Sequence, residues 1–150
     1  MLKTGDKAPA IALLDQFGRK RTLKEFSKKK VLVYFYPKAD TPGCTQQSCL
    51  LSEVKDRIGR TVIIGISPDS PARQLKFDEK YSLGFPLLAD EDHRVAMAYK
   101  VWKKKSMYGR EYMGIERSAF LIDGTGKILH AWYKISPKDT PAFLLQALGK

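Results

Sequence analysis

The sequence predicts an α/β domain in which a central mixed β-sheet is flanked by helices and preceded by an N-terminal β-hairpin extension. Three observations carry this. Residues 31–36, Val-Leu-Val-Tyr-Phe-Tyr, form a continuous β-branched and aromatic run suited to a buried strand. Helical segments then alternate with further apolar runs, the strand–helix–strand order of a layered sheet. Late in the chain, Asp123-Gly124-Thr125-Gly126 separates two apolar runs and reads as a hairpin turn.

The elements follow in order. Residues 10–14 and 19–23 flank Asp15-Gln16-Phe17-Gly18, a turn that pairs them as a hairpin. Leu23 to Ser27 allows one short helical turn, and residues 31–36 make the first central strand. Pro42 opens a helix that runs to Arg57, with Leu50, Leu51, Val54 and Ile58 near one face and Gly59 ending it. Residues 61–66 are a second buried strand. Ser70 caps a helix that begins at Pro71 and runs to about Tyr81. Leu87 and Leu88 make a short strand, and residues 91–99 a short helix that places His93 near its start. Residues 107–113 read as irregular or hairpin-like. Residues 118–122 and 127–133 are the late hairpin strands, and Asp139 or Thr140 caps a final helix to Leu148, with Pro141 in its first turn.

The 150 residues make a single domain, 1–150, large enough to bury a core. No stretch approaches ~18 consecutive apolar residues, so no membrane-spanning helix is expected. The first residues, Met1-Leu2-Lys3-Thr4-Gly5-Asp6-Lys7, lack the apolar core of a secretion signal. Two cysteines are too few for a disulfide scaffold, and with two distant histidines they do not match zinc-ligand spacing. No metal and no cofactor is expected, and a reducing cytoplasmic setting suits a cysteine that must be recycled. Lys and Arg number 27 against 16 Asp and Glu, a net charge of +11, with clusters at 28–30 and 103–105 and at Arg19, Lys20 and Arg21. This allows an alternative reading as a basic nucleic-acid-binding or chaperone-like module, but no nucleic-acid-binding signature accompanies the charge. An acidic protein partner could be steered by the same surface.

The chemistry concentrates in Pro37-Lys38-Ala39-Asp40-Thr41-Pro42-Gly43-Cys44, with Cys49 five residues on. The Pro-Gly pair ends the preceding strand and puts Cys44 in the first turn of the following helix. There the free N–H groups and the positive end of the helix dipole favour a thiolate, the nucleophilic form of cysteine. Five residues along a continuous helix rise ~7.5 Å and turn about 140°, placing the two Cα atoms roughly 8–9 Å apart. A disulfide needs Cα atoms within about 7 Å. Either the helix begins after Cys44, or it must unwind before the two cysteines can bond.

This run matches Pro-x-x-x-Thr-x-x-Cys and resembles the active-site motif of the peroxiredoxins. The longer string from Phe35 to Thr45 is similar to the peroxiredoxin Q branch, also called bacterioferritin comigratory protein. Three further blocks agree in order: Gly5-Asp6-Lys7-Ala8-Pro9, Phe85-Pro86-Leu87-Leu88-Ala89-Asp90, and Gly114 to Asp123. The resemblance implies a thioredoxin-like fold and a thiol-dependent reduction of hydrogen peroxide or organic hydroperoxides. By position, Cys44 corresponds to the peroxidatic cysteine, Thr41 to the hydroxyl that contacts thiolate and peroxide, and Pro37 to the residue that shields the sulfur from water. Arg117 corresponds to the arginine that reaches the pocket from a distant strand, and Cys49 to the resolving cysteine of a single-chain disulfide. The implied reductant is thioredoxin or a similar dithiol, and an intrachain disulfide suits a monomer. A redox-sensing role uses the same chemistry. Two departures stand out. The early block continues Ala10-Ile11 where the family usually has Asp-Phe, and Gln47 stands where the branch often has Glu. With Gln47 neutral, Arg117 loses an anionic competitor, so the Cys44 thiolate is expected to be at least as favoured as in Glu-bearing relatives.

Overall fold

The computed structural model describes all 150 residues. Strands β1 (Ala12–Leu14) and β2 (Lys20–Thr22) form the N-terminal hairpin, and Leu23–Phe26 adds one 3₁₀ turn. Then come β3 (Val31–Phe35), α1 (Pro42–Val54), β4 (Val62–Ser67), α2 (Pro71–Tyr81), β5 (Leu87–Ala89) and α3 (Arg94–Ala98). The chain ends with β6 (Trp102–Met107), β7 (Arg110–Ile115), β8 (Ser118–Ile122), β9 (Ile128–Trp132) and α4 (Thr140–Ala147). The main sheet has seven strands in the order β2-β1-β5-β4-β3-β8-β9, while β6 and β7 pair only with each other. β3, β4 and β5 run parallel; β1, β8 and β9 are antiparallel to their neighbours. This is the mixed sheet flanked by helices that the sequence predicts.

All five residues of β3 are buried, so the strand is apolar on both faces rather than alternating. Its side chains divide between two cores. Val31, Val33 and Phe35 pack with Ile64, Ile66 and Phe120 on the face that α3 covers through Val95 and Ala96. Leu32 and Tyr34 pack with Ile63, Phe77, Leu121 and Leu144 under α1, α2 and α4. The register pairs Phe35 with Ser118. The end of β3 therefore meets the start of β8, and the loop that follows β3 meets the residues that precede β8.

Most boundaries match the sequence expectation, and the differences have physical causes. Ser70 does cap α2, its Oγ accepting from Arg73 N at 3.2 Å, whereas the helix expected to reach Arg57 is α-helical only to Val54 and continues as one 3₁₀ turn over Lys55–Arg57 before Gly59 at φ +62°. The helix expected over 91–99 spans only 94–98, because the buried Asp90 carboxylate takes the N–H groups of Val95 and Ala96 at 3.1 and 2.8 Å and fixes where it starts. His93 precedes it with φ +63° and stacks on Trp102. Asp139 makes no capping bond at α4 and Thr140 points inward, so neither caps the last helix as expected. Ser136 closes that entry instead, its Oγ accepting from Asp139 N at 3.3 Å and donating to the Asp139 carboxylate at 2.8 Å. The segment read as irregular or hairpin-like is a regular two-stranded ribbon over Trp102–Ile115, turned by Tyr108 and Gly109, both at positive φ.

Candidate active site

The loop from β3 to α1 is fixed before the helix begins. Ala39 N donates to Asp69 Oδ2 at 2.7 Å. Asp40 takes the left-handed region at φ +62°, and its carboxylate accepts from Tyr81 OH at 2.8 Å and Lys80 Nζ at 3.0 Å, which tie the loop to the end of α2. These donors hold the Asp40 carboxyl below the ordinary carboxylate range, Tyr81 contributing most. Behind the loop, Tyr36 OH donates to Gln74, whose amide donates to Ser67 Oγ at 2.8 Å and Leu88 O at 2.9 Å.

Thr41 is the N-cap residue of α1 with extended backbone, Pro42 takes the first position, and the helix is regular from there. Both cysteines therefore lie on one intact helix, which removes the first of the two alternatives open from the sequence. Cys44 is buried and Cys49 half-buried, both as free thiols. The N–H groups of Gly43 and Cys44 have no acceptor within the protein and remain available at the helix start.

Arg117 arrives on the short connection between β7 and β8, its carbonyl held by Ile135 N at 3.0 Å. Its Nη2 donates to Cys44 Sγ at 3.4 Å and its Nη1 to Gln47 Oε1 at 2.7 Å. A Cβ at position 43 would lie 3.2 Å from that Nη2, so glycine is what lets the guanidinium close on the sulfur. Gln47 in turn donates through Nε2 to Thr140 Oγ1 at 2.9 Å, and Thr140 donates to Ser136 O at 2.9 Å. The chain from Ser136 to Arg117 leaves no polar group unmatched, and it sets the guanidinium angle from the far side of the site. Beneath the helix, Ser48 Oγ bonds Tyr34 OH at 2.7 Å, and burial pushes the Tyr34 phenol well above the ordinary tyrosine range.

The structure thus brings together Cys44, Arg117 and the backbone of Gly43 from the residues expected. Thr41 stands at the helix start, but its hydroxyl donates to Lys38 O at 2.8 Å rather than to the helix. Pro37 lies just past β3, half-buried, and lines a surface cleft with Lys38, Asp69 and Arg73. Cys49 sits on another side of α1, where burial, with the Glu53 carboxylate adding to it, raises its thiol above the ordinary range. Ser48 and Thr140 were missed as site residues, and Gln47 was read only as a lost charge beside Arg117. Their signal was available: positions 44, 47, 48 and 51 trace one helical face, and polar residues on a buried face need partners. Lys105 of β6 was missed as well; it is half-buried and its stem passes over Gly114. The side chains bring no three His, Cys, Asp or Glu close enough to hold a metal ion, and no helix is long and apolar enough to cross a membrane.

A buried cysteine at a helix start thus lies beneath an arginine drawn from far along the chain. The chain belongs to the AhpC/TSA family, whose model matches residues 4–131. Within that family it is similar to Peroxiredoxin Bcp of Bacillus subtilis, at 44% identity over 98% of this chain and 95% of that one. Peroxiredoxin Bcp of Escherichia coli K12 is 48% identical over 87% of this chain and 85% of its own. Among solved structures, a cysteine-to-serine mutant of Xylella fastidiosa PrxQ superposes with a TM-score of 0.93 at 28% identity, covering 99% of this chain and 96% of that one. The bacterioferritin comigratory protein of Xanthomonas campestris gives 0.87 at 33% identity, covering 93% and 90%, in a study of its alkyl peroxide reduction activity.

Proposed function

We propose that this chain reduces hydrogen peroxide and organic hydroperoxides in a two-cysteine cycle within one chain. The contact of Arg117 Nη2 with Cys44 Sγ at 3.4 Å carries the reading, since it places a permanent cation and its donors where a thiolate and a polarised peroxide must sit. Cys44 Sγ attacks one peroxide oxygen; an S–O bond forms and the O–O bond breaks. The electron pair goes to the other oxygen, which leaves as hydroxide or alkoxide and takes a proton from solvent. The hydrogen of the Thr41 hydroxyl is committed to Lys38 O, so its lone pairs are the part free to accept from the peroxide O–H. The unpartnered N–H groups of Gly43 and Cys44 add donors to the same space. Pro37 limits water at the sulfur from the strand side.

The sulfenic acid on Cys44 is then attacked by Cys49, which releases water and leaves a disulfide. Because both lie on α1, the first turns of the helix unwind to bring them within reach. A thioredoxin-like dithiol restores both thiols by exchange. A monomer suffices for every step.

The test is intact mass and free-thiol count after one equivalent of hydrogen peroxide, on the wild type and on Cys49→Ser. The expected result is loss of two hydrogens and of both thiols in the wild type, and a trapped sulfenic acid on Cys44 in the variant. Survival of both thiols through the challenge would defeat the reading.

A further inference from the structure

The ribbon of β6 and β7 stands apart from the main sheet and ends at Ile115, two residues before Arg117. Its register sets Lys105 opposite Tyr112 and Lys103 opposite Gly114, so these four lie on one face. Position 114 carries no side chain where the Lys105 stem needs room. A Cβ there would lie 3.2 Å from Lys105 Cδ, 3.6 Å from its Cε and 3.3 Å from Tyr112 Cε2. Gly114 is not in the left-handed region, so the backbone does not ask for glycine; the crossing side chain does. Passing from the level of Tyr112 over Gly114, the stem heads along β7 towards the Arg117 end.

Lys105 is half-buried and has no carboxylate within salt-bridge distance, whereas Lys104 beside it is exposed and pairs with Glu111 at 2.7 Å. The groups that act on its ammonium come from three directions. Burial and then Arg117, on the β7–β8 connection, push it below the ordinary lysine range, while Cys44 on α1 and Glu116 act the other way. A cation held on that side of Arg117 attracts negative charge that gathers at the sulfur. Around Cys44 the other facing groups are Arg117, the neutral Gln47 amide and the Tyr34 phenol, and the one carboxylate that acts on Lys105 is Glu116, on the β7–β8 connection.

We propose that Lys105 is the second cation of the peroxide site, a positioning residue that acts through space on the Cys44 thiolate and on the charge passing to the leaving oxygen, with Gly114 giving it passage. This rests on Cys44 being the peroxidatic thiol. Lys105 exchanges no proton and forms no bond in the step. It lowers the cost of gathering negative charge between sulfur and oxygen, and it shares that task with Arg117, whose other nitrogen is engaged by Gln47.

The test is stopped-flow oxidation of Cys44 by hydrogen peroxide across pH in a Cys49→Ser parent, compared with Lys105→Gln, Lys105→Arg and Gly114→Ala in the same background. Lys105→Gln is expected to slow the reaction about 5- to 10-fold near neutral pH, the effect of removing one nearby unit charge in a partly solvated site. It is also expected to move the pH of half-maximal rate upward while leaving the high-pH plateau close to the parent. Lys105→Arg restores most of the loss, and Gly114→Ala falls between. A uniform loss at every pH with an unchanged midpoint would mark a structural role and overturn the proposal, as would a Lys105→Gln rate within twofold of the parent. A parent that forms no Cys44 sulfenic acid would overturn the peroxidatic assignment and this inference together; normal oxidation in the parent with an unmoved Lys105→Gln profile overturns this inference alone.

Discussion

Replacing Gln47 by Glu tests how the site manages its charge. The amide does two things at once: Oε1 accepts from Arg117 Nη1 at 2.7 Å, and Nε2 donates to Thr140 Oγ1 at 2.9 Å. Thr140 has already given its own hydrogen to Ser136 O at 2.9 Å. A carboxylate at position 47 faces Thr140 with an acceptor, so Thr140 must abandon Ser136 or lose a partner, at about 1–2 kcal/mol. The bond to Arg117, already from a charged donor, becomes an ion pair and returns about the same amount. Stability should therefore stay within about 1 kcal/mol of the parent, read as an unfolding midpoint in urea.

Reactivity should not stay level. Residues three apart on a helix hold their Cβ atoms about 5–6 Å apart, so the new charge sits roughly 6 Å from Sγ. At an effective dielectric near 20 that separation is worth about 2.8 kcal/mol of repulsion against the thiolate. Arg117 lies between the two and absorbs a share; taking about half leaves ~1.4 kcal/mol, a tenfold effect. Gln47→Glu is expected to lower the rate of Cys44 oxidation about tenfold near neutral pH and to move the rate profile to higher pH. Gln47→Ala, which frees Arg117 without adding charge, should slow the reaction with no movement of the profile. Stopped-flow oxidation by hydrogen peroxide over a pH range separates the two. A Gln47→Glu enzyme as fast as the parent at neutral pH would refute the view that neutrality at position 47 favours the thiolate.

Three further outcomes follow from named contacts. The buried Asp15 carboxylate accepts from Phe17 N, Arg19 N and Arg21 Nη1 at 2.9, 3.0 and 3.1 Å, and although burial opposes it, these bonds bring its carboxyl below the ordinary range. Its contribution is thus present above about pH 4 and lost as pH falls through the lowered value, so Asp15→Asn should cost about 2 kcal/mol at neutral pH and flatten the acid limb of a urea-midpoint profile; an unchanged acid limb would count against it. Gly124→Ala would put a Cβ 2.7–2.9 Å from the backbone of Lys28, which cannot swing aside as a side chain would, so a loss of about 2–3 kcal/mol is expected in thermal or urea unfolding, and a loss under 0.5 would refute the contact. Cys49 must shed its proton to attack, and burial, then Glu53, raise its thiol, so disulfide formation after Cys44 oxidation should accelerate with rising pH; Glu53→Gln should speed it at neutral pH, and a pH-independent resolution rate would contradict this.

What the sequence made legible follows from which signals are local. The helix start at Cys44 was readable because Pro42 and Gly43 punctuate the chain there, and the late hairpin because Asp123 and Gly124 do the same. Arg117 was not readable from any local pattern. It reached the site through resemblance to a family, since only the pairing of Phe35 with Ser118 brings it near Cys44. Gln47 looked like the loss of a carboxylate and proved to be the residue that holds the guanidinium, a role an amide carries without any sequence mark. The β6–β7 ribbon was read only as irregular or hairpin-like over 107–113, because it is largely exposed, runs Lys103-Lys104-Lys105, and so lacks the alternation that announces a half-buried strand. α3 was overextended because the reading could not foresee that Asp90 would be buried and turned onto the helix N–H groups.

In the proposed cycle, the helix that activates Cys44 also forbids its disulfide, and the composition of that helix resolves the conflict. Reactivity needs an ordered start: open N–H groups at Gly43 and Cys44, with Arg117 closed over the sulfur. Resolution needs that order undone as far as Cys49. The buried residues of the first two turns are Cys44, Gln47 and Ser48, which are small or polar and are held by hydrogen bonds to Arg117, Thr140 and Tyr34. Each such bond is worth about 1 kcal/mol net. The first large apolar anchor is Leu51, fully buried in the core, and removing it from there would add about 2–3 kcal/mol. The boundary between helix that can yield and helix that must stay therefore falls between Cys49 and Leu51. In the proposed cycle, a resolving thiol two positions short of the anchor lets the site dismantle itself without opening the core beneath it.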